Sequence, residues 1–478
     1  MTATAARLDR DNYEDARGRR APSPPVRIVH LGLGAFHRAH QAWYTAHASP
    51  DWGIAAFTGR SPEAATGLAE QDGLYTLIER TSDGDTASVV TSIVEAVDGA
   101  DLARFTSLLA SPSTVVVTIT VTEAGYRLMS EGEPDLDDAA LASDVLLLSS
   151  AFGHGTSAPA PVTTLGRLVL GLDARRRSDA GPIAVVPCDN IPANGPFVER
   201  GLIALARLTS PATADWIERN VAVVSTSVDR ITPATTDDDN VIARLLTGFT
   251  DASPVVTEPF RDWVLSGDFP AGRPPWEGAG AQFVDDIEPF ERRKLWLLNG
   301  AHSLLAYAGV SRGHTTVAEA VGDIACRGWV VDLWDEAVQH LPPAGLDLDE
   351  YRQALLDRFG NSRIRHELAQ VGTDGVTKLR VRIVPVAMAE RAAGRDAAAC
   401  ARVVGAWIAT VLSGRGLKDS HASPIAQARA AGHAEVHRNL LALVDADLAR
   451  DDAFVTRVKA AAESFTMDQT DNEEGKTA

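Results

Sequence analysis

Val26-Arg-Ile-Val-His-Leu31, running straight into Gly32-Leu33-Gly34 and then Ala35-Phe36-His37, decides how this chain folds. The first six residues are rich in β-branched and aliphatic side chains and read as a strand. Phe36–Ala48 then reads as a helix. A strand passing through a glycine turn into a helix is the winding unit of a parallel α/β sheet. Its turn is also where a dinucleotide pyrophosphate meets backbone N–H groups. The third glycine of the usual fingerprint is absent, and His37 stands there. A plain strand-to-helix turn could use the same two glycines, so the motif by itself leaves both readings open.

Outward from this turn the alternation continues. Trp52–Thr58 is a second strand and Pro62–Gln71 a helix. Strand-like runs follow at Leu74–Glu79 and Val89–Glu95, then a helix at Asp101–Leu109 and the strongest strand, Thr114–Val121. Residues 131–160 look less regular, and strands resume at Ile183–Pro187 and Val221–Val228. Strands alternating with helices imply a largely parallel sheet covered on both faces. After about residue 285 the periodicity is helical. The expectation is an α/β fold: a polar arm over 1–25, an N-terminal Rossmann-type domain with a parallel sheet over 26–285, a C-terminal all-helical domain over 286–466 and a disordered tail over 467–478. The site is expected in the cleft between the two domains.

Composition narrows the function. The 478 residues carry a net charge of −19, which argues against binding a phosphate backbone. Cys188, Cys326 and Cys400 are far apart and lack CxxC spacing, so neither a disulfide framework nor a cysteine-based zinc site is expected. That spacing fits a reducing cytoplasm. No signal-peptide core and no run of about 20 apolar residues is present, so a soluble chain without a membrane partner is expected.

Lysine usage is the sharper clue. Only five of 45 basic residues are lysine, and residues 1–377 hold one, Lys294. An arginine would serve if charge alone were needed, but arginine cannot release its proton and lysine can once its pKa is lowered. Lys294 lies in Glu291-Arg-Arg-Lys294-Leu-Trp-Leu-Leu-Asn299-Gly-Ala-His302. At about 100° per residue, Glu291, Lys294, Asn299 and His302 share an arc of about 140° with leucines. Polar groups buried among leucines are costly unless paired or used; a salt-bridged core helix is the other reading. For a dehydrogenase, Lys294 can be the base, Asn299 an oxyanion donor, His302 a group orienting substrate and Glu291 either a proton relay or a group that tunes the lysine. The strand-end loops Cys188-Asp189-Asn190 and Asp229-Arg230 are placed to complete the site. Tyr-x-x-x-Lys, HExxH and CxxC are all absent, leaving a lysine base with no metal.

These residues, in order, resemble the polyol-specific long-chain dehydrogenases and reductases, the mannitol dehydrogenase family. The likeness spans about 26–460 and rests on six motifs: His30-Leu-Gly-Leu-Gly-Ala-Phe-His-Arg-Ala-His-Gln41, Thr118-Ile-Thr-Val-Thr-Glu-Ala-Gly-Tyr126, Cys188-Asp-Asn190, Val228-Asp-Arg-Ile-Thr-Pro233, Lys294-Leu-Trp-Leu-Leu-Asn-Gly-Ala-His-Ser303 and Asp374-Gly-Val-Thr-Lys378. The resemblance implies Lys294 as general base, Asn190 and Asn299 as the oxyanion hole, Asp229 and His302 as substrate contacts and Glu291 as a gate for protons. It implies that Lys378, with Arg382, reaches the sugar chain. It implies a cofactor cradle of Gly32, Leu33, Gly34, Ala35, Phe36 and His37, with Thr120 and Val121, and no metal.

Departures bear on specificity. Relatives often carry an acidic residue after the second strand; here Gly59-Arg60-Ser61 stands there. Arg60 and Ser61 could hold a 2′-phosphate, so NAD is expected and NADP stays open. Val376 replaces a usual serine, and Arg380 a usual proline. The leading expectation is interconversion of D-mannitol and D-fructose by a monomer or small homo-oligomer. The rival is reduction of fructuronate or tagaturonate, with Lys378, Arg380 and Arg382 facing the carboxylate. A nucleotide-binding regulatory module without catalysis is a more distant alternative.

Overall fold

Val26–Leu31 (β1) lies at the centre of a parallel sheet. In the computed structural model, which describes residues 5–15, 17–59, 61–154, 160–414, 418–430, 432 and 435–474, the chain divides into two compact units, Met1–Ile287 and Glu288–Ala478. The strands that follow β1 in the first unit are β2 Gly53–Phe57, β3 Tyr75–Arg80, β4 Asp85–Val90, β5 Ile93–Val97, β6 Val116–Ile119, β7 Ile183–Pro187 and β8 Val221–Val223. After them come β9 Ser225–Asp229, β10 Val255–Thr257, β11 Asp262–Ser266 and β12 Gln282–Phe283.

Six strands form one sheet in the order β5-β2-β1-β6-β7-β8, parallel throughout. This is the doubly wound dinucleotide-fold order, in which the winding reverses between β1 and β6 and opens a crevice at their carboxyl ends. The period of two in each strand feeds two separate cores. Ile28, Ile54, Val116 and Val186 turn to one face, and Val29, Phe57, Val117 and Val185 turn to the other.

The structure departs from the sequence reading in several places. Val221–Val228 is not one strand: it breaks at Val224, and β9 leaves the parallel sheet to pair antiparallel with β11. Val89–Glu95 likewise splits, β4 pairing with β3 while β5 edges the parallel sheet. Residues 139–154 form a helix rather than irregular chain. Its inward Leu141, Asp144 and Leu148 are fully buried, but Leu146 is 73% exposed, so apolar residues sit on both faces and blur the period. The arm is docked: Leu8 is buried, and Arg10 donates to the Thr91 and Ile93 carbonyls at 2.9 and 2.8 Å.

The second unit is helical, with no β-strand among its described residues. Glu288–Arg293, Lys294–Asn299 and Gly300–Ser311 form one continuous helical run whose middle segment is π-helical. The final helix, Asp452–Glu474, passes the point at 467 where a tail was expected, because no Gly or Pro interrupts it before Gly475. Residues 475–478 lie outside the described residues. Among the described residues no helix is long and apolar enough to cross a membrane.

Candidate active site

The turn after β1 sits where the sheet order reverses. Gly32 has φ +107°, and a Cβ there would lie 2.1 Å from the Thr120 carbonyl oxygen, so only glycine fits. The Gly32 and Leu33 N–H groups both donate to Phe57 O, at 3.0 and 2.8 Å. Thr120 Oγ1 donates to Gly32 O at 2.9 Å. Gly34 differs: a Cβ would meet only Gly32 O, at an ordinary 3.6 Å. The protein itself does not require glycine there, but Gly34 lines a cleft, and bare backbone lets a ligand approach closely.

That cleft, of about 480 Å³, is lined by Gly32, Gly34, Ala35, Phe36, His37, Thr120 and Val121, with Asp189 and Asn190 also on its wall. Most of the expected cofactor residues therefore converge. Leu33 does not: its side chain is buried in the core behind the turn. Arg60 lies outside the described residues. Among the described residues a basic group at the end of β2 is Arg167, whose Nη1 reaches Gly59 O at 3.2 Å; it is remote in sequence and carries no motif.

His37 replaces the fingerprint's third glycine by a different packing device. Its ring stacks on His30 of β1 with centroids 3.3 Å apart and planes 9° from parallel. A flat ring-on-ring contact thus serves the close helix-to-strand approach that glycine ordinarily permits. Burial pushes the His30 pKa down to about 3. Burial, and then the neighbouring His30, hold His37 well below the usual imidazole range.

In the second unit, Lys294 opens the π-helical segment, and the Gly300 N–H donates back to Leu295 O. The wider turn changes the angular spacing assumed for an α-helix. Lys294, Glu291 and Asn299 come out half-buried, while Trp296, Leu297 and Leu298 are buried. Two carbonyls of this run also accept from outside it: Trp334 Nε1 donates to Leu297 O at 2.8 Å, and Arg382 Nη1 to Asn299 O at 3.2 Å. Ser303 Oγ also donates to Asn299 O, at 3.2 Å. Isolated π turns of this kind occur frequently at functional sites.

His302 follows on the same helical run, 7% exposed, with its Nε2 buried and lacking a hydrogen-bond partner among the described residues. His366 packs edge-on with ring centroids 4.9 Å apart, and Phe359 lies tilted at 4.8 Å. Burial first, then His366, Arg358, Arg382 and Lys378, depress its pKa well below the usual value. Lys378 Nζ donates to Val371 O at 2.9 Å and Thr373 Oγ1 at 3.3 Å, and burial followed by Arg382 lowers its pKa. Burial brings Arg382 to about 10. Arg380 goes elsewhere: its guanidinium holds Leu443 O at 3.2 and 2.6 Å, where it serves a helix end. Arg358 and His366 had no sequence signal and appear only through packing.

Asp229 ends β9 opposite Asp262 of β11 and is buried; its neighbour Val228 lines the cleft. Arg230, beside it, is structural, donating to Glu258 O at 3.0 Å and Ala39 O at 2.5 Å. Among the described residues no group of three His, Cys, Asp or Glu side chains is arranged to hold a metal.

The neutral histidines carry a stability signature. An unfolded imidazole titrates near about 6.5, whereas His30, His37 and His302 resist protonation in the folded chain. Below about pH 6.5 the unfolded chain therefore binds protons that the folded chain refuses, and stability falls with pH by about 1.4 kcal/mol per unit for each such group. The thermal midpoint is expected to drop from about pH 6.5 to about pH 5, with a shallower drop in His302→Asn. Thermal denaturation across that range checks it; an unchanged slope in the variant would mean His302 is protonated in the fold.

Comparison with known proteins places these features in context. Residues 26–278 match the mannitol dehydrogenase Rossmann domain, and residues 286–466 the mannitol dehydrogenase C-terminal domain. The chain is 37% identical to the D-mannonate oxidoreductase of Escherichia coli (strain K12), over 75% of this chain and 74% of that one. It is 35% identical to the mannitol 2-dehydrogenase of Pyrenophora tritici-repentis (strain Pt-1C-BFP), over 92% and 79% of the two chains. Among solved structures, Pseudomonas fluorescens mannitol 2-dehydrogenase in its ternary complex with NAD and D-mannitol superposes with a TM-score of 0.74 at 32% identity, covering 95% of this chain and 97% of that one.

Proposed function

The chain belongs to the mannitol dehydrogenase family of oxidoreductases, and on that premise we propose that it interconverts D-mannitol and D-fructose with NAD as cofactor. The observation that carries the reading is Lys294, half-buried at the head of a π-helical turn with Asn299 at its end and an unpartnered, neutral His302 beyond it. Bound nicotinamide would supply the acceptor for the hydride leaving the alcohol carbon. The residues of this chain manage the proton. In the second unit Lys294 Nζ takes the hydroxyl proton as the carbonyl forms and Asn299 donates to the oxygen as its charge develops; Asn190, in the first unit, is assigned an oxyanion-donor role by the family resemblance. His302 exchanges a hydrogen bond with a neighbouring hydroxyl, which would satisfy its orphaned nitrogen. Glu291 passes the proton on, and Asp229 helps to fix the substrate. The cleft around Gly32, Gly34 and Thr120 fits the pyrophosphate. Three buried, free cysteines support a reducing compartment, the cytoplasm.

A second reading has its own observation. Lys378, Arg382 and Arg358 all bear on His302, and the bonds described for Lys378 and Arg382 go to neutral oxygens. Such a cluster suits a substrate ending in a carboxylate, as a hexuronate does. Initial rates of NADH and NADPH oxidation with D-fructose, D-fructuronate and D-tagaturonate separate the readings. The largest kcat/KM is expected with fructose and NADH. Turnover of the uronates alone would overturn the mannitol assignment and make Lys378 and Arg382 the carboxylate site. Dinucleotide binding with no turnover of any of these would leave a binding module.

A further inference from the structure

One buried polar pair links the two loops that flank the nucleotide cleft. Tyr126 closes the short helix Glu123–Tyr126, which begins at Thr122 and Glu123 on the cleft wall. Its phenol is fully buried and packs edge-on against Phe197, with ring centroids 6.5 Å apart. The hydroxyl donates to Asp189 Oδ2 at 2.6 Å, and Asp189 is only 7% exposed. Burial, and then the Asp189 carboxylate, push the Tyr126 pKa well up, so the hydroxyl keeps its proton and remains the donor.

The other carboxylate oxygen spans the residue that follows. Asp189 Oδ1 accepts from the Ile191 N–H at 2.9 Å and from Asn194 Nδ2 at 3.3 Å. Asp189 and Ile191 flank Asn190, so this contact is an Asx turn that sets the backbone of Asn190. Asn194 carries the network on, its Oδ1 accepting from the Thr226 N–H at 2.9 Å. Thr226 Oγ1 returns to Pro187 O at 2.6 Å. The loop after β7 is thereby held from the loop after β6, from the following helix and from β9.

We propose that Tyr126 is a positioning residue: through Asp189 it fixes the Asx turn that presents the Asn190 side chain to the reacting oxygen. The proposal rests on the oxyanion role assigned to Asn190 above. Tyr126 itself touches no reacting atom. It ties the segment that lines the cofactor side of the cleft to the one that carries the donor, so the donor's place is set relative to the cofactor.

A double-mutant cycle on the full chain tests this. Tyr126→Phe keeps the ring packing and removes only the hydroxyl. It is expected to lower kcat about tenfold or more while leaving KM and the NADH dissociation constant, read by quenching of intrinsic fluorescence, nearly unchanged. Asn190→Ala is expected to lower kcat further. In the Asn190→Ala background, Tyr126→Phe should then cost nothing more, because the residue it positions is gone. Additive losses, or a Tyr126→Phe enzyme with wild-type kcat, would overturn the positioning role. An unchanged kcat in Asn190→Ala would instead remove the oxyanion assignment, and this proposal with it. Should Tyr126→Phe fail to fold, Asp189→Asn, which keeps an acceptor for the Ile191 N–H and loses the charge, goes through the same cycle with the same non-additivity expected.

Discussion

Lys294→Ala is expected to lower kcat by about 10³-fold, within the range that removal of a general base produces, and to leave dinucleotide affinity nearly untouched. The reason is positional. The cleft proposed to hold the cofactor is lined by the β1 turn and the segment after β6, whereas Lys294 opens the π-helical turn of the second unit. Lys294→Arg should be almost as inactive, since a guanidinium keeps the charge and cannot take up a proton at neutral pH. Initial rates across pH, with cofactor binding followed by fluorescence, check both variants. Arginine restoring most of the activity would show that the position needs only a cation, and the base would have to be sought elsewhere.

Gly32→Ala and Gly34→Ala should part company, although the glycines are two residues apart in one motif. At Gly32 a methyl group meets the Thr120 carbonyl at 2.1 Å, and φ is +107°. Backbone strain alone costs about 1–3 kcal/mol, the clash adds to it, and the thermal midpoint should fall by about 10 °C or folding fail outright. At Gly34 the same methyl group meets only an ordinary contact at 3.6 Å. That variant should melt close to the wild type yet bind NADH at least about tenfold more weakly, because the methyl group fills space that a pyrophosphate needs. Thermal melts with titration of NADH decide the matter. Equal midpoints for the two variants would contradict the close approach of β1 and β6, and tight NADH binding by Gly34→Ala would move the phosphate site away from this turn.

Much of the architecture could be read without coordinates. The β-branched runs, the turn at Gly32-Leu33-Gly34 and the change to helical periodicity near 285 depend on residues next to one another, and steric preference and periodicity act over a few positions. The parallel sheet and the helical second unit followed from them. So did the candidacy of Lys294, from its rarity, and of Asn299 and His302, from their spacing.

Other features depend on partners far along the chain, and no local pattern encodes them. Val221–Val228 looks like one strand until Val224 N–H bonds to Val185 O and the remainder turns to pair with β11. The helix around Lys294 looks like an α-helix by period, and its π turn is accompanied by Trp334 and Arg382 taking carbonyls from it. Arg380 and Arg382 are two residues apart, yet one holds a helix end at Leu443 and the other the Asn299 carbonyl. Arg358 and His366 reach His302 only through packing. Tyr126 and Asp189 belong to motifs visible in the sequence, but their bond crosses 63 residues. The sequence by itself determined most of the strands, the helical character of the second unit and which side chains are candidates to move a proton. Only the tertiary structure decided which of those groups face one another, because a hydrogen bond or a desolvated charge is defined by the partner that folding brings to it.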